Sequence, residues 1–396
     1  MVDNFTWGGG ENLYFNITLL FSDVLLVGIL YLLISRRSRY KKMLRLNNHD
    51  KYLFLVLLLF ISVAGISTYF SYFPFSSLLS FIQLIKLSII FLLSKALFSD
   101  KQVLEESINT IILFVVFNSL LIIFQYINRG AIGLYVEDKS TPFGWFAKES
   151  IGLFRSGGIF SDPNIAATIS CIFTPYILLS VIMKNRFSFI GLAILLVTIL
   201  GIILTGSRAS WIIFIITTVA VLLFIKKNIL PERFNKILSV VKVVIFVLVI
   251  AFGPFMFRRL TTLTNAFSDI GGVTYRIKHL QTSWYFIKTN PFGVGIGVFP
   301  YVTSLKFPFR QTGIYPTYAH NIFASIGAET GYIGFAIFCY FLFLVLKMKY
   351  RTLKRNSNYL NFALMLAFIV FLLLSNLFPW ISNPKISPLF FLLAAI

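Results

Sequence analysis

Four short segments gather the residue types that bind anions or move protons. Residues 155–164 begin with Arg155 and end on Asp162, Pro163 and Asn164. Asp-Pro-Asn reads first as a helix entry, since Pro suits the first helical turn. Arg155 and Asn164 beside it are candidate substrate contacts. The second segment is Thr205, Gly206, Ser207 and Arg208, a few residues between two apolar runs. Arg208 is there either as a snorkelling side chain or as an anion ligand next to helix-start N–H groups, which favour negative charge. The third runs from Arg276 to Trp284 and on to Pro291, Gly293, Gly295 and Gly297. An arginine fork matches phosphate oxygens two at a time, so Arg276 is a candidate. The alternating glycines do not lie between a strand and a helix, as a dinucleotide fingerprint must. They predict instead a tight turn with unusual backbone angles.

The fourth segment is His320 and Asn321, followed by Glu329 and Gly331. The chain has three histidines: His49, His279 near Arg276, and His320. Histidine suits proton transfer near neutral pH; the plainer reading of His320 is a polar helix start. Nine helical positions of 100° turn Glu329 to the side opposite His320, so it is not expected to orient that ring. Glu329 is still an acid about 15 Å along its helix by rise per residue, and ionisable residues inside a membrane are functional candidates. Gly327, Gly331 and Gly334, spaced by four and three, predict a small face for close helix packing. No set has metal-ligand spacing. Asp162 and Asp269 are isolated, Glu137 and Asp138 stand alone, and Cys171 and Cys339 lie inside apolar runs. Neither a metal site nor a disulfide framework is expected.

The elements that must position these residues are membrane-spanning helices. Of the 396 residues, 58% are hydrophobic and 12% charged, where a soluble domain carries about 25% charged. The apolar runs are continuous and near the roughly 20 residues a spanning helix needs. They do not alternate as barrel strands do. The expected fold class is therefore all-α, a polytopic transmembrane helical bundle forming a single integral membrane domain over residues 1–396. Spans are expected at 17–34, 52–70, 78–98, 107–127, 165–183, 187–204, 210–225, 237–257, 320–346 and 359–378. A last apolar stretch at 386–396 is too short to cross unaided, giving about eleven spans in all. The basic stretches 35–51, 226–236 and 347–355 belong in the cytoplasm by the positive-inside rule. All four candidate segments then fall on the opposite face, together with the long extracytoplasmic loops 128–164 and 258–319. Loops of that length are usually functional. The second precedes the ninth span, and residues 275–287 within it are amphipathic enough for a short surface helix. The net charge of +21 then marks topology rather than a nucleic-acid partner. The first Lys or Arg is Arg36, so no cleavable signal peptide is expected. Ionisable residues within spans are few. Asp23 and Lys86 are expected at similar depth, facing each other as a structural pair; the rival reading sends Lys86 to a carrier phosphate.

The order Arg155 to Asn164, Thr205 to Arg208, Arg276 to Gly295, then Ala319-His320-Asn321 to Gly331 resembles the O-antigen ligase/polymerase superfamily over residues 155–341. The resemblance implies a bacterial membrane glycosyltransferase without a cofactor, taking a glycan from undecaprenyl diphosphate or a related polyprenyl carrier at the outer face of the cytoplasmic (inner) membrane. In the family pattern, the Arg after Thr-x-Ser and a loop Arg bind the carrier diphosphate, and the His acts on the acceptor hydroxyl. These roles fall on Arg208, Arg276 and His320 as catalytic residues, with Arg155, Asn164, Asn321 and Glu329 as substrate contacts. The implied partners are carrier-linked glycans, the bilayer, a chain-length regulator and a flippase, with no nucleic acid. Ligases carry a second His just before the His-Asn pair, where this chain reads Pro316-Thr317-Tyr318-Ala319. That departure and the Asp-Pro-Asn element favour a polymerase that joins repeat units of an O-antigen or capsule-type polysaccharide, inverting and metal-independent. A ligase passing the glycan to lipid A-core is the near alternative. A flippase or transporter is the alternative of another class, and it would line a path through the bundle with charge.

Overall fold

Proline and small polar residues divide the apolar runs into helices. The computed structural model describes residues 48–134, 154–160, 162–183, 189–261, 272–308, 318–376 and 387–396. The expected span 17–34, Asp23 and hence the pairing of Asp23 with Lys86 lie outside these residues. In chain order the helices are α1 (Asn48–Tyr69), α2 (Pro74–Leu97) and α3 (Lys101–Asn128). A single 3-10 turn (Gly158–Phe160) leads to α4 (Pro163–Met183), α5 (Phe189–Leu204), α6 (Arg208–Asn228) and α7 (Pro231–Thr261). Then come α8 (Gly272–Thr289), α9 (Phe299–Lys306), α10 (Ile322–Arg355), α11 (Tyr359–Leu374) and α12 (Ser387–Ala395). Proline opens α2, α4 and α7, where its missing N–H leaves no helical bond unmade.

The protein is an all-α, polytopic membrane bundle. Seven of the described helices, α1 to α4, α6, α7 and α10, are 21 to 34 residues long and apolar enough to cross a membrane. The shorter apolar helices α5 and α11 fall on the expected spans 187–204 and 359–378. The long stretch 258–319 is not all loop: it holds α8, which covers the amphipathic residues 275–287, and the short α9.

The chain divides into two compact units. One comprises Met1–Glu106, Gly272–Met348 and Ser375–Ile396. In it α1 and α12 pack on α2, and Lys95 of α2 pairs with Asp50 of α1 at 3.2 Å. A core of Phe286, Val294, Val298, Phe299, Val302, Ala319 and Ala328 joins α8, α9 and the start of α10. The other unit comprises Ser107–Gly271 and Lys349–Leu374. There α4 is enclosed on nearly all sides, packed by α5, α6, α11 and the 3-10 turn, while α7 packs on α6.

Candidate functional site

In the second unit, the chain turns from α5 to α6 in three residues, as short as the sequence predicts. Asp162 starts α4: its Oδ1 accepts from the Asn164 N–H at 2.7 Å and its carbonyl from the Ala166 N–H at 3.1 Å. The Asp-Pro-Asn element is thus a helix entry. Its Asn164 also holds the candidate arginine, accepting at Oδ1 from Arg155 Nη2 at 3.0 Å. Arg155 Nε donates to the Thr205 carbonyl at 2.9 Å. Gly206 has φ +63 and passes so near that a Cβ would lie 3.3 Å from Arg155 Nε. The loop bearing Arg155 is held on α3 by two buried amides. Gln125 accepts from Ser156 Oγ and from the Gly158 N–H (2.9 Å), and donates to the Gly158 carbonyl at 3.1 Å. Asn118 accepts from the Ile159 N–H at 3.0 Å. These bonds satisfy backbone groups that burial would otherwise penalise.

Arg155 is only 6% exposed. Burial pushes its guanidinium down to about 10; Asp162 opposes that shift and the neighbouring charge of Arg208 adds to it. Sequence reasoning did not single out Arg259. It lies in the last turn of α7, where basic residues ordinarily answer the helix dipole. Its Nε donates to the Gly206 carbonyl at 3.0 Å, and it feels the charges of both Arg155 and Arg208. The signal was parity: α6 leaves the turn at residues 205–208, and α7 runs back to it.

In the first unit, His320 stands just before α10 rather than at its cap. Its backbone has φ +44, the left-handed region that few residues other than glycine adopt. Asn321 is the cap: its Oδ1 accepts from the Ala324 N–H at 3.0 Å. Asn321 Nδ2 donates to Asn376 Oδ1 at 3.0 Å, and the Ile322 N–H to the Ser375 carbonyl at 3.1 Å. The step that carries His320 is therefore fixed on the side where it enters α10. Tyr275 and His279, one turn apart on α8, present one face. Their rings lie 5.8 and 6.3 Å from that of His320, centroid to centroid. His279, named in sequence only for its nearness to Arg276, is fully buried and 4.4 Å from Tyr275. Arg276 is exposed on the same helix. It belongs to this unit, whereas Arg208, its expected companion on the diphosphate, belongs to the other.

The alternating glycines form the expected turn, with φ of +81, +107 and +73 at Gly293, Gly295 and Gly297. It lies against a break in α10, where Gly331 has φ 70 and ψ −178. The Val294 and Gly295 N–H groups donate to the Ala328 and Glu329 carbonyls at 3.0 and 3.2 Å, and Ser67 of α1 donates to the same Glu329 carbonyl. Gly331 is thus a point of close packing, as its spacing from Gly327 and Gly334 suggested, but at a break in the helix and against the glycine turn. Gly327 abuts Ile287 of α8, and Gly334 approaches Val63 of α1. The Glu329 side chain is fully buried. Its Oε1 accepts from the Phe299 N–H at 3.4 Å at the start of α9, with the Gly297 N–H also directed at the carboxyl. Negative charge is favoured at a helix N-terminus, so the acid expected to touch substrate is engaged in holding α9. Oε2 has no hydrogen-bond partner among the described residues. Glu329→Ala would leave the Phe299 N–H buried and unsatisfied, at about 1–3 kcal/mol. Its melting midpoint in nanodiscs should fall clearly, and that of Glu329→Gln, which keeps an acceptor, should fall less. An alanine variant that melts with the wild type would dismiss the cap.

Among the described residues no three His, Cys, Asp or Glu side chains gather as a metal-holding group. Residues 192–339 match the model of a family described as O-antigen ligase. The matched stretch takes in Arg208, Arg259, Arg276, His279, His320 and Glu329 and stops short of Arg155 and Asn164. No curated protein matches the chain. Over residues 192–339, this polytopic membrane protein is thus similar to the O-antigen ligase family.

Proposed function

We propose that the protein is a glycosyltransferase that takes a glycan from a polyprenyl diphosphate carrier at the outer face of a bacterial cytoplasmic membrane. The observation that carries this reading is the gathering of Arg155 and Arg208 at the three-residue turn between α5 and α6, in a chain similar over residues 192–339 to the O-antigen ligase family. The acceptor hydroxyl oxygen attacks the anomeric carbon, and the bond from that carbon to the phosphate oxygen breaks. The electron pair leaves on the diphosphate, whose growing charge the arginines stabilise in a poorly solvated setting. The hydroxyl proton passes to His320 as general base. Arg276 is assigned to the same diphosphate, and Asn321 to the placement of His320. One displacement of this kind inverts the anomeric centre. No step calls on a metal, in keeping with the isolation of Asp162, Asp269 and the Glu137-Asp138 pair along the chain.

The acceptor divides the readings. The description of the matched family favours a ligase that passes the glycan to lipid A-core or another terminal acceptor. The missing second histidine before His320 favours a polymerase that extends a carrier-linked repeat unit. Purified protein in nanodiscs, given carrier-linked glycan with and without lipid A-core, tells them apart. Glycan on the core identifies a ligase, and longer carrier-linked chains a polymerase. Movement of the glycan across a liposome membrane with no new bond would overturn the transferase reading. In the productive assay Arg208→Lys keeps the charge but loses the fork. Its kcat/KM should fall by about 10- to 100-fold, the weight of a charged hydrogen bond or two. Turnover equal to the wild type would remove Arg208 from the donor site.

A further inference from the structure

We propose that Arg259 is a third diphosphate ligand, completing with Arg155 and Arg208 an anion site around the turn at residues 205–208. The inference rests on the donor reading above and adds a residue that neither the sequence motifs nor the family pattern assigns. Arg258 and Arg259 end α7 together, but they are used differently. Arg258 is exposed. Arg259 is partly buried and reaches back to the Gly206 carbonyl through Nε at 3.0 Å. Arg155 reaches the preceding carbonyl, Thr205, through its own Nε at 2.9 Å. Two successive carbonyls thus hold two guanidiniums on one turn, and the residue that follows Ser207 is a third arginine.

A helix dipole does not account for this arrangement. It favours Arg259 at the end of α7 but disfavours a cation such as Arg208 at the start of α6. Here three cations are partly or fully withdrawn from water within each other's field. Three guanidiniums brought to one helix-start turn suit a ligand that carries several negative charges. The start of α6 adds to the field. Its N-cap, Ser207, makes no side-chain bond to the helix N–H groups, and its hydroxyl instead accepts from Ser210 Oγ at 3.0 Å. Those first N–H groups and three planar forks present donors to more than one phosphoryl group. A diphosphate ester, with two linked phosphoryl groups, matches that set better than a monophosphate or a carboxylate.

The test titrates geranylgeranyl diphosphate, inorganic diphosphate and geranylgeranyl monophosphate against the full chain in nanodiscs of neutral lipid. Arg259→Gln should weaken geranylgeranyl diphosphate by about 10- to 100-fold with a melting midpoint near that of the wild type. The monophosphate should bind more weakly than the diphosphate and lose less on the change. A parallel loss for inorganic diphosphate shows that the anion itself is recognised; binding of the lipid form alone shows that the site takes the carrier with its tail. Arg258→Gln, one residue away, should bind as the wild type does. Arg259→Lys keeps the charge and a donor for Gly206 but not the fork, so a weakened but folded lysine variant supports the proposal even if the glutamine variant folds poorly. Wild-type affinity in Arg259→Lys and Arg259→Gln, alongside weakened binding in Arg208→Gln, would reduce Arg259 to a strut for Gly206 and leave the donor reading in place. Unchanged affinity in Arg208→Gln as well would bring down the donor site itself.

Discussion

His320→Ala is expected to lower glycan transfer by about 10²- to 10⁴-fold, the usual contribution of a positioned general base, while the protein stays folded and inserted. The backbone makes this a clean test. His320 is held at φ +44 by Asn321 and by the two bonds from residues 321 and 322 to residues 375 and 376. These bonds run through residues 321 and 322, so alanine at 320 leaves them in place. A second variant separates chemistry from strain. His320→Gly also lacks the base but adopts a left-handed backbone without penalty, so it should be equally inactive and melt at or above the alanine variant. Activity is read in a single turnover with carrier-linked glycan, and stability by the melting midpoint. Full transfer by His320→Ala would remove this residue from the mechanism.

The sequence made the helices legible because the membrane demands a long apolar run for each crossing; the expected spans among the described residues fall on apolar helices, seven of them long enough to cross. It did not reveal which helices face protein and which face lipid. α4 is almost wholly enclosed and α7 almost wholly exposed, yet both are as apolar as spanning helices are. Lipid tails are as apolar as a protein interior, so hydropathy cannot tell the two environments apart. Small residues can, since they let backbones approach. Ala166, Ala167, Ser170 and Thr174 mark α4, whereas α7 is built from Val, Ile and Phe.

The candidate site was legible in part, for a similar reason. Arg155, Arg208, Arg276 and His320 stood out because each sits next to a turn signal. Arg259 and His279 carry no such signal. One looks like an ordinary helix end, and the other like a polar residue on an amphipathic helix. Only the return of α7 to the α5–α6 turn, and the packing of α8 beside the step before α10, gives them neighbours worth naming. Glu329 shows the reverse case. An acid inside an apolar helix reads as a substrate contact, and no local pattern announces that its carboxyl also meets the Phe299 N–H at the start of α9.

Gly331→Ala is expected to cost the protein much of its stability and, with it, its activity. At φ 70 and ψ −178 the residue occupies a region open essentially only to glycine, at roughly 1–3 kcal/mol for any other side chain. A Cβ there would also lie 2.0 Å from the Pro291 carbonyl oxygen and 2.8 Å from the Gly293 nitrogen. These are backbone atoms of the glycine turn and cannot rotate aside, so overpacking adds about 1–3 kcal/mol. The sum is large against the 5–15 kcal/mol that typically separates folded from unfolded chains. Movement of the turn would disturb the Val294 and Gly295 bonds to α10 and the approach of Glu329 to α9, and Phe299 of α9 lies 6.1 Å from the buried His279 ring. Gly327→Ala is the contrasting change. Gly327 has ordinary helical angles, and the nearest atom to its Cβ would be the Ile287 Cδ1 at 2.8 Å, the far end of a flexible side chain. That variant should stay within about 1 kcal/mol of the wild type, helped by the higher helix propensity of alanine. Melting midpoints and single-turnover transfer for the two variants, measured side by side, decide the matter. A Gly331→Ala protein that melts and transfers like Gly327→Ala would show that α10 can close its break, and that the glycine turn does not depend on it.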